Sequence, residues 1–335
     1  MASSLVLGSV PQEEMNELQS SFFERLQREP DVPVAVLAIE ALTSAIAASS
    51  ATTIMGLNDE IKEASRELVA VGGGSIALSS ACALFARFAT RTSLDLPDIS
   101  ECKAKIVGRG TAFAERASQA RTRIAELGTE FIRDGAVILT HSYSRVVAAV
   151  LLAAARQAKL FSVIVTESRP DTSGHLLAAK LRAEGIPVTL ILDAAVGKVM
   201  EQVDMVITGA EGVVESGGII NKIGSYPMAI VANCFNKPFY VATESFKFAR
   251  LYPLDQDDYP CAQFSLEESS VEDPSAPGTL LTRSRIVPDG DEPEVTPLSV
   301  SSVDYTPPKF ITLLITDLGN LTPSAVSDEL IKLYY

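Results

Sequence analysis

Three short stretches of the chain hold side chains that could do chemistry. Thr140-His141-Ser142-Tyr143-Ser144-Arg145 supplies an imidazole and hydroxyls, Thr166-Glu167-Ser168-Arg169-Pro170-Asp171 a guanidinium and carboxylates, and Gly209-Ala210-Glu211 an acid among glycines. Asn221 and Lys222 follow as a paired amide and cation. That set suits a phosphorylated small polar ligand, with Lys222 and exposed backbone N–H groups for phosphate and Glu211 and the hydroxyls for sugar hydroxyls. The candidate pocket is Thr140, His141, Ser142, Tyr143, Arg169, Gly209, Glu211, Asn221 and Lys222. A plainer reading leaves Lys222 solvated and the glycines serving backbone geometry alone, and His141 reads equally as a satisfied core histidine. The convergence of acid, amide and cation favours the pocket. Ser142 has no recognisable base and no G-x-S-x-G elbow, so a nucleophilic role is not expected. Dinucleotide and P-loop glycine spacings do not occur, and neither cofactor nor metal is expected.

The elements that must position these residues follow from a change of period. From Glu13 to about Leu127 apolar residues recur at helical spacing, as at Met15, Leu18, Phe22 and Leu26. Helices are expected over Val34–Ser49, Asn58–Val71, Ser75–Phe88 and Lys103–Glu130, the last bridging to a second domain with Arg109, Arg116, Arg121 and Arg123 solvated. Gly72-Gly73-Gly74 reads as a flexible connection. From about Phe131 short apolar runs take over: Ala136–Thr140, Phe161–Thr166, Val188–Leu192, Val203–Thr208, Phe239–Ala242 and Phe310–Thr316. Helical segments lie between most of them, at Val146–Ala158, Gly174–Glu184, Ala194–Gln202 and Tyr226–Phe235, and a last helix is expected with Thr322 as N-cap and Pro323 at its first position. This is an α/β chain: an all-helical domain over residues 1–130, then a doubly wound, mainly parallel, Rossmann-like domain over 131–335. In such a sheet ligands bind outside the strands' carboxyl ends, where the three stretches meet. Gly209, Gly212, Gly217 and Gly218 are expected to let backbone approach a ligand. Residues 267–308, rich in Pro, Ser, Asp and Glu, read as a mobile acidic surface insertion.

Composition narrows the function. A chain of 335 residues, 47% hydrophobic and 21% charged, holds two sizeable cores. A formal net charge of −14 with 28 Lys and Arg argues against direct nucleic-acid binding. Cys82, Cys102, Cys234 and Cys261 are scattered, and each reads as a small buried hydrophobe. The N-terminus lacks a basic n-region and no apolar run reaches the roughly 18 residues of a membrane span, so a cytosolic, cytoplasmic protein without membrane association is expected.

Longer strings go further. Thr-His-Ser-Tyr-Ser-Arg-Val-Val from Thr140, Val-Thr-Glu-Ser-Arg-Pro-Asp from Val165, the run Gly209–Gly224, Glu-Ser-Phe-Lys-Phe-Ala-Arg-Leu-Tyr-Pro-Leu from Glu244 and the tail from Ile315 to Tyr334 closely resemble the family of alpha, beta and delta subunits of eukaryotic translation initiation factor 2B, the alpha type above all. The resemblance covers most of the C-terminal half and more weakly the helical half, and excludes the acidic insertion. It implies a regulatory, non-catalytic subunit of the guanine nucleotide exchange factor for initiation factor 2, with the exchange activity in the epsilon subunit. It implies a homodimer that joins beta, gamma, delta and epsilon subunits in a decamer, and a helical domain that helps sense the phosphorylated alpha subunit of initiation factor 2. The wider family includes sugar-phosphate isomerases similar in their Thr-His-Cys-Asn and Gly-Ala-Asp-Arg motifs, where the cysteine and aspartate carry proton transfers. Here Ser142 and Glu211 stand at those positions, Ser173 replaces a glutamine, and the isomerases' Arg-Gly-x-Pro anion loop has no counterpart, whereas Asn221 and Lys222 match. A serine is a far poorer acid than a thiol, and a displacement of about 1 Å can cost a hundredfold in rate. The alternatives are an active sugar-phosphate isomerase, or a sensor of a sugar phosphate or nucleotide. The apolar ending Leu330–Tyr335 reads either as part of a subunit surface or as core packing of the last helix.

Overall fold

The computed structural model describes residues 15–29, 31–72, 75–96, 98–256, 258–259, 263–272, 280–288 and 300–334. Five helices come first: α1 Glu17–Arg28, α2 Val34–Ala48, α3 Ile54–Val71, α4 Ile76–Asp95 and α5 Ile99–Thr129. A capping box starts α1, with Asn16 Oδ1 accepting from Gln19 N and Gln19 Oε1 from Asn16 N. Five consecutive residues of α2, Ala35 to Ile39, are buried, which places it in the middle of the bundle, since a helix apolar on every side must be covered on every side. The helix α5 has 31 residues, about 46 Å at the usual rise per residue. Its first half, with Cys102 and Ile106, closes the helical core, and its second half, with Ile124, lies in the core of the sheet. Of its four arginines expected in solvent, Arg109, Arg116 and Arg123 are exposed, Arg109 also lying over the Phe88 ring, and Arg121 is half-buried with Nη2 donating to Asp31 O. Gly73 and Gly74 lie outside the described residues.

The second half runs β1 Ala136–His141, α6 Arg145–Arg156, β2 Phe161–Thr166, α7 Gly174–Ala183, β3 Val188–Ile191, α8 Val196–Val199, β4 Met205–Thr208, β5 Gly212–Val213, β6 Ile219–Lys222, α9 Ser225–Cys234, β7 Phe239–Ala242, β8 Gln263–Glu272, β9 Leu280–Pro288, β10 Val300–Ser301, β11 Val303–Thr306, β12 Leu313–Thr316, β13 Gly319–Leu321 and α10 Ala325–Tyr334. The main sheet has seven strands in the order β13-β12-β7-β4-β1-β2-β3, all parallel except β13. Apolar residues on β1, β2 and β4 alternate between two cores. One lies under α5, α6 and α7 (Ile138, Val165, Ile207), the other under α8, α9 and α10 (Leu139, Ile164, Val206). That is the two-sided burial that gives parallel strands their near-continuous apolar runs.

Four expectations change. The segment Ala194–Gln202 is one short α-turn between two 3₁₀ turns rather than a helix. The last helix begins at Ala325, two residues beyond Pro323, and the Thr322 hydroxyl is paired with Ser324 Oγ. In and just before the stretch read as a mobile insertion, β8 and β9 pair antiparallel over nine residue pairs, and β11 is a buried strand paired with β6; residues 273–279 and 289–299 lie outside the described residues. Cys82 and Cys102 are buried, but Cys234 at the last position of α9 is exposed, where the helix runs out past the core; Cys261 lies outside the described residues. At the C-terminus Leu330 is buried and Ile331 exposed. No helix among the described residues is long and apolar enough to cross a membrane.

Candidate functional site

The residues singled out from the sequence gather at the carboxyl edge of β1, β2 and β4, joined by a second small sheet. In that sheet β5, β6 and β11 pair antiparallel, so Asn221 and Lys222 stand on a strand and not in a loop. The sequence gives little warning, because β5 is two residues long and the partner of β6 lies about eighty residues on.

Lys222 ties the edge together. Its Nζ lies 3.4 Å from Asp171 Oδ2 in the loop after β2 and 3.6 Å from Glu211 Oε1 in the loop after β4. Burial alone would lower the Lys222 pKa, but the two carboxylates outweigh it and raise the pKa, so the ammonium persists at neutral pH. Half-exposed ion pairs of this kind contribute about 0–1 kcal/mol, so their consequence is placement more than stability. A second cation fixes the Glu211 loop from beneath: Lys247 Nζ donates to Ala210 O at 2.8 Å and pairs with the buried Glu244 at 3.0 Å.

Ser142 follows β1 with φ at +62° and is buried, its Oγ 2.7 Å from Ser173 Oγ at the start of α7. The hydroxyl is thus engaged by a second hydroxyl, that of Ser173, whose backbone N–H donates to Asp171 Oδ1 at 2.9 Å. Asn221 Nδ2 donates to Ser225 Oγ, which donates on to Lys222 O. Part of the expected amide grip is therefore spent on closing the β6–α9 turn.

His141, the last residue of β1, has both ring nitrogens engaged within the protein. Ile223 O can only accept, so the ring proton sits on Nε2, 2.8 Å away, and Nδ1 accepts from Thr166 Oγ1 at 2.6 Å. Burial depresses the His141 pKa despite Asp193 at 3.9 Å, and the ring is neutral. The satisfied-histidine reading describes it, and His141 floors a separate, mostly apolar cavity of about 260 Å³ with Val196, Met228 and Val231. Gly224 has φ +106°, and a Cβ there would lie 2.9 Å from the imidazole.

The other expected residues divide. Thr140 is fully buried with Oγ1 unpartnered. Tyr143 is turned toward Lys180, whose Nζ donates to its hydroxyl. Arg169 is 68% exposed and pairs with Glu167, away from Lys222. Asp193 anchors its loop by accepting from Ser168 N and Arg169 N. The glycines do not open the backbone to a ligand. A Cβ would strike Ser144 from Gly209, Ile76 from Gly212, the Pro323 carbonyl from Gly217 and Tyr305 from Gly218, so they admit the protein's own packing. The edge thus brings together Ser142, Glu211, Asn221 and Lys222, adds Asp171 and Ser173, and leaves Arg169 and Tyr143 aside. Asp193 could have been found by the strand-end rule that found the others, since it follows β3.

Comparison with known proteins agrees with this architecture. Residues 27–323 match the initiation factor 2 subunit family. The chain is 48% identical to translation initiation factor eIF2B subunit alpha of Dictyostelium discoideum over 94% of this chain and 96% of that one. It is 31% identical to a ribose 1,5-bisphosphate isomerase of Pyrococcus furiosus, over 87% and 85%. The solved translation initiation factor eIF-2B of Pyrococcus horikoshii OT3 superposes with a TM-score of 0.65 at 26% identity, covering 92% of this chain and 98% of that one. With the family matched along most of its length, by sequence and by fold, the chain belongs to the initiation factor 2 subunit family.

Proposed function

We propose that this chain is a regulatory subunit of the guanine nucleotide exchange factor for translation initiation factor 2 and catalyses no reaction itself. The observation that carries the reading is the near full-length similarity to an eIF2B alpha subunit at 48% identity. The site is in keeping with it: a serine engaged with Ser173 stands where the isomerases have a thiol, and Glu211 is tied to Lys222. In this reading the chain forms a homodimer in the cytosol that joins beta, gamma, delta and epsilon subunits into a decamer, and its helical domain helps sense the phosphorylated alpha subunit of initiation factor 2. The test is nucleotide release from initiation factor 2 by the other four subunits, with and without this chain. Adding it should make exchange sensitive to phosphorylated initiation factor 2, and unchanged sensitivity would reject the role.

A second reading keeps a ligand in the pocket, on the observation that Lys222, Glu211 and Ser142 still converge at the sheet edge. Ribose 5-phosphate should then raise the melting temperature of the chain, and Lys222→Ala should abolish the shift. The same sugar turned over to a ketose would make the chain an isomerase.

A further inference from the structure

The turn that carries Lys222 from β6 into α9 is held from two sides. His141 Nε2 donates to Ile223 O at 2.8 Å. From β11, Asp304 Oδ2 accepts from Gly224 N at 2.7 Å and from Tyr226 N at 3.0 Å. Asp304 is 4% exposed, and its other oxygen, Oδ1, is buried without a hydrogen-bond partner. An ionised carboxylate would place half its charge on an oxygen that nothing compensates, a costly arrangement in a low-dielectric interior. A carboxylic acid with its proton on Oδ1 avoids that cost and leaves Oδ2 free to accept both N–H groups. Lys222 on β6, His141 on β1, Tyr226 on α9 and Tyr259 beneath β11 are the titratable groups on the elements packed around it, but the carboxyl itself is hydrogen-bonded by backbone N–H groups alone.

We propose that Asp304 is the positioning residue of the Asn221–Lys222 pair and acts as a proton-held latch: protonated, it clamps the β6–α9 turn, and without its proton it lets the turn open. Burial raises the Asp304 carboxyl to about 7, against the lowering effect of the N–H groups of Tyr226, Gly224 and Ser225. Once the turn opens, the group returns to the ordinary aspartate value of about 3.9. A group whose closed-state pKa is raised stabilises the closed state fully below the open-state pKa and loses that contribution as pH climbs to the closed-state pKa. The latch therefore weakens from about pH 4 to about pH 7 and is constant above, so acidification tightens the turn. His141 keeps a donor on Nε2 in either charge state and does not oppose the effect. This proposal is independent of the exchange-factor reading.

Amide hydrogen exchange of the full chain tests it, followed on the peptide spanning Gly224 to Tyr226 from pH 5.5 to 8.5 with the intrinsic pH dependence divided out. Protection is expected to fall by up to tenfold per unit from pH 5.5 to about 7 and then level off. Asp304→Asn, which retains an acceptor and cannot ionise, is expected to be flat throughout. If that variant does not fold, the β2 peptide Phe161–Thr166 of the wild-type chain serves as the internal reference and should not follow the turn. A flat wild-type profile at the turn, the same slope in Asp304→Asn, or an equal fall in the β2 peptide overturns the proposal.

Discussion

At the scale of single residues, the edge of the sheet is organised by groups that consume one another's bonding capacity. His141 shows this most plainly, since both ring nitrogens are committed inside the protein. Its replacement by Ala leaves the Ile223 carbonyl and the Thr166 hydroxyl buried without those partners, and a loss of about 2–4 kcal/mol is expected in urea denaturation. Lys222→Ala should cost less than about 1 kcal/mol by the same measurement, because its pairs are half in solvent. The contrast between the two was partly legible in the sequence. Strand-end reasoning brought Ser142, Glu211, Asn221 and Lys222 to one place, but residue types alone could not tell that both His141 nitrogens are spent inside the protein or that Arg169 pairs with Glu167. Asp304 carried no signal, because it sits at the end of an acidic, proline-rich stretch and reaches the site only through pairing of β11 with β6.

At the scale of elements, the inner parallel strands were readable because each is largely buried and so appears as an uninterrupted apolar run, whereas β3 at the sheet edge holds no buried residue; β2 and β7 fall where those runs fall. The small sheet was not readable, since its strands are two and four residues long and their pairing is non-local. The glycines between β4 and α9 were visible, but not their purpose. Gly212 admits Ile76 of α4, where a Cβ would lie 2.6 Å from its Cγ2, so this position joins the helical half to the sheet. Gly212→Ala is expected to lower stability by about 1–3 kcal/mol, the usual cost of overpacking, seen as a lower melting temperature. Gly217→Ala should cost more. Its φ is +83° and the obstructing atom is the backbone carbonyl of Pro323, which cannot swing aside as a side chain can.

At the scale of the whole molecule, α5 is the strut that makes two cores behave as one body, contributing Cys102 and Ile106 to one and Ile124 to the other. A helical body and a sheet body joined this firmly suit a subunit whose task is to be held by neighbours, and the proposed role places the chain at the junction of a larger particle. Sedimentation of the coexpressed alpha-type chain with beta, gamma, delta and epsilon subunits measures that directly. The account predicts one decameric particle containing two copies of this chain, which falls into two smaller halves when the chain is omitted. A particle of the same mass with or without it would contradict the account.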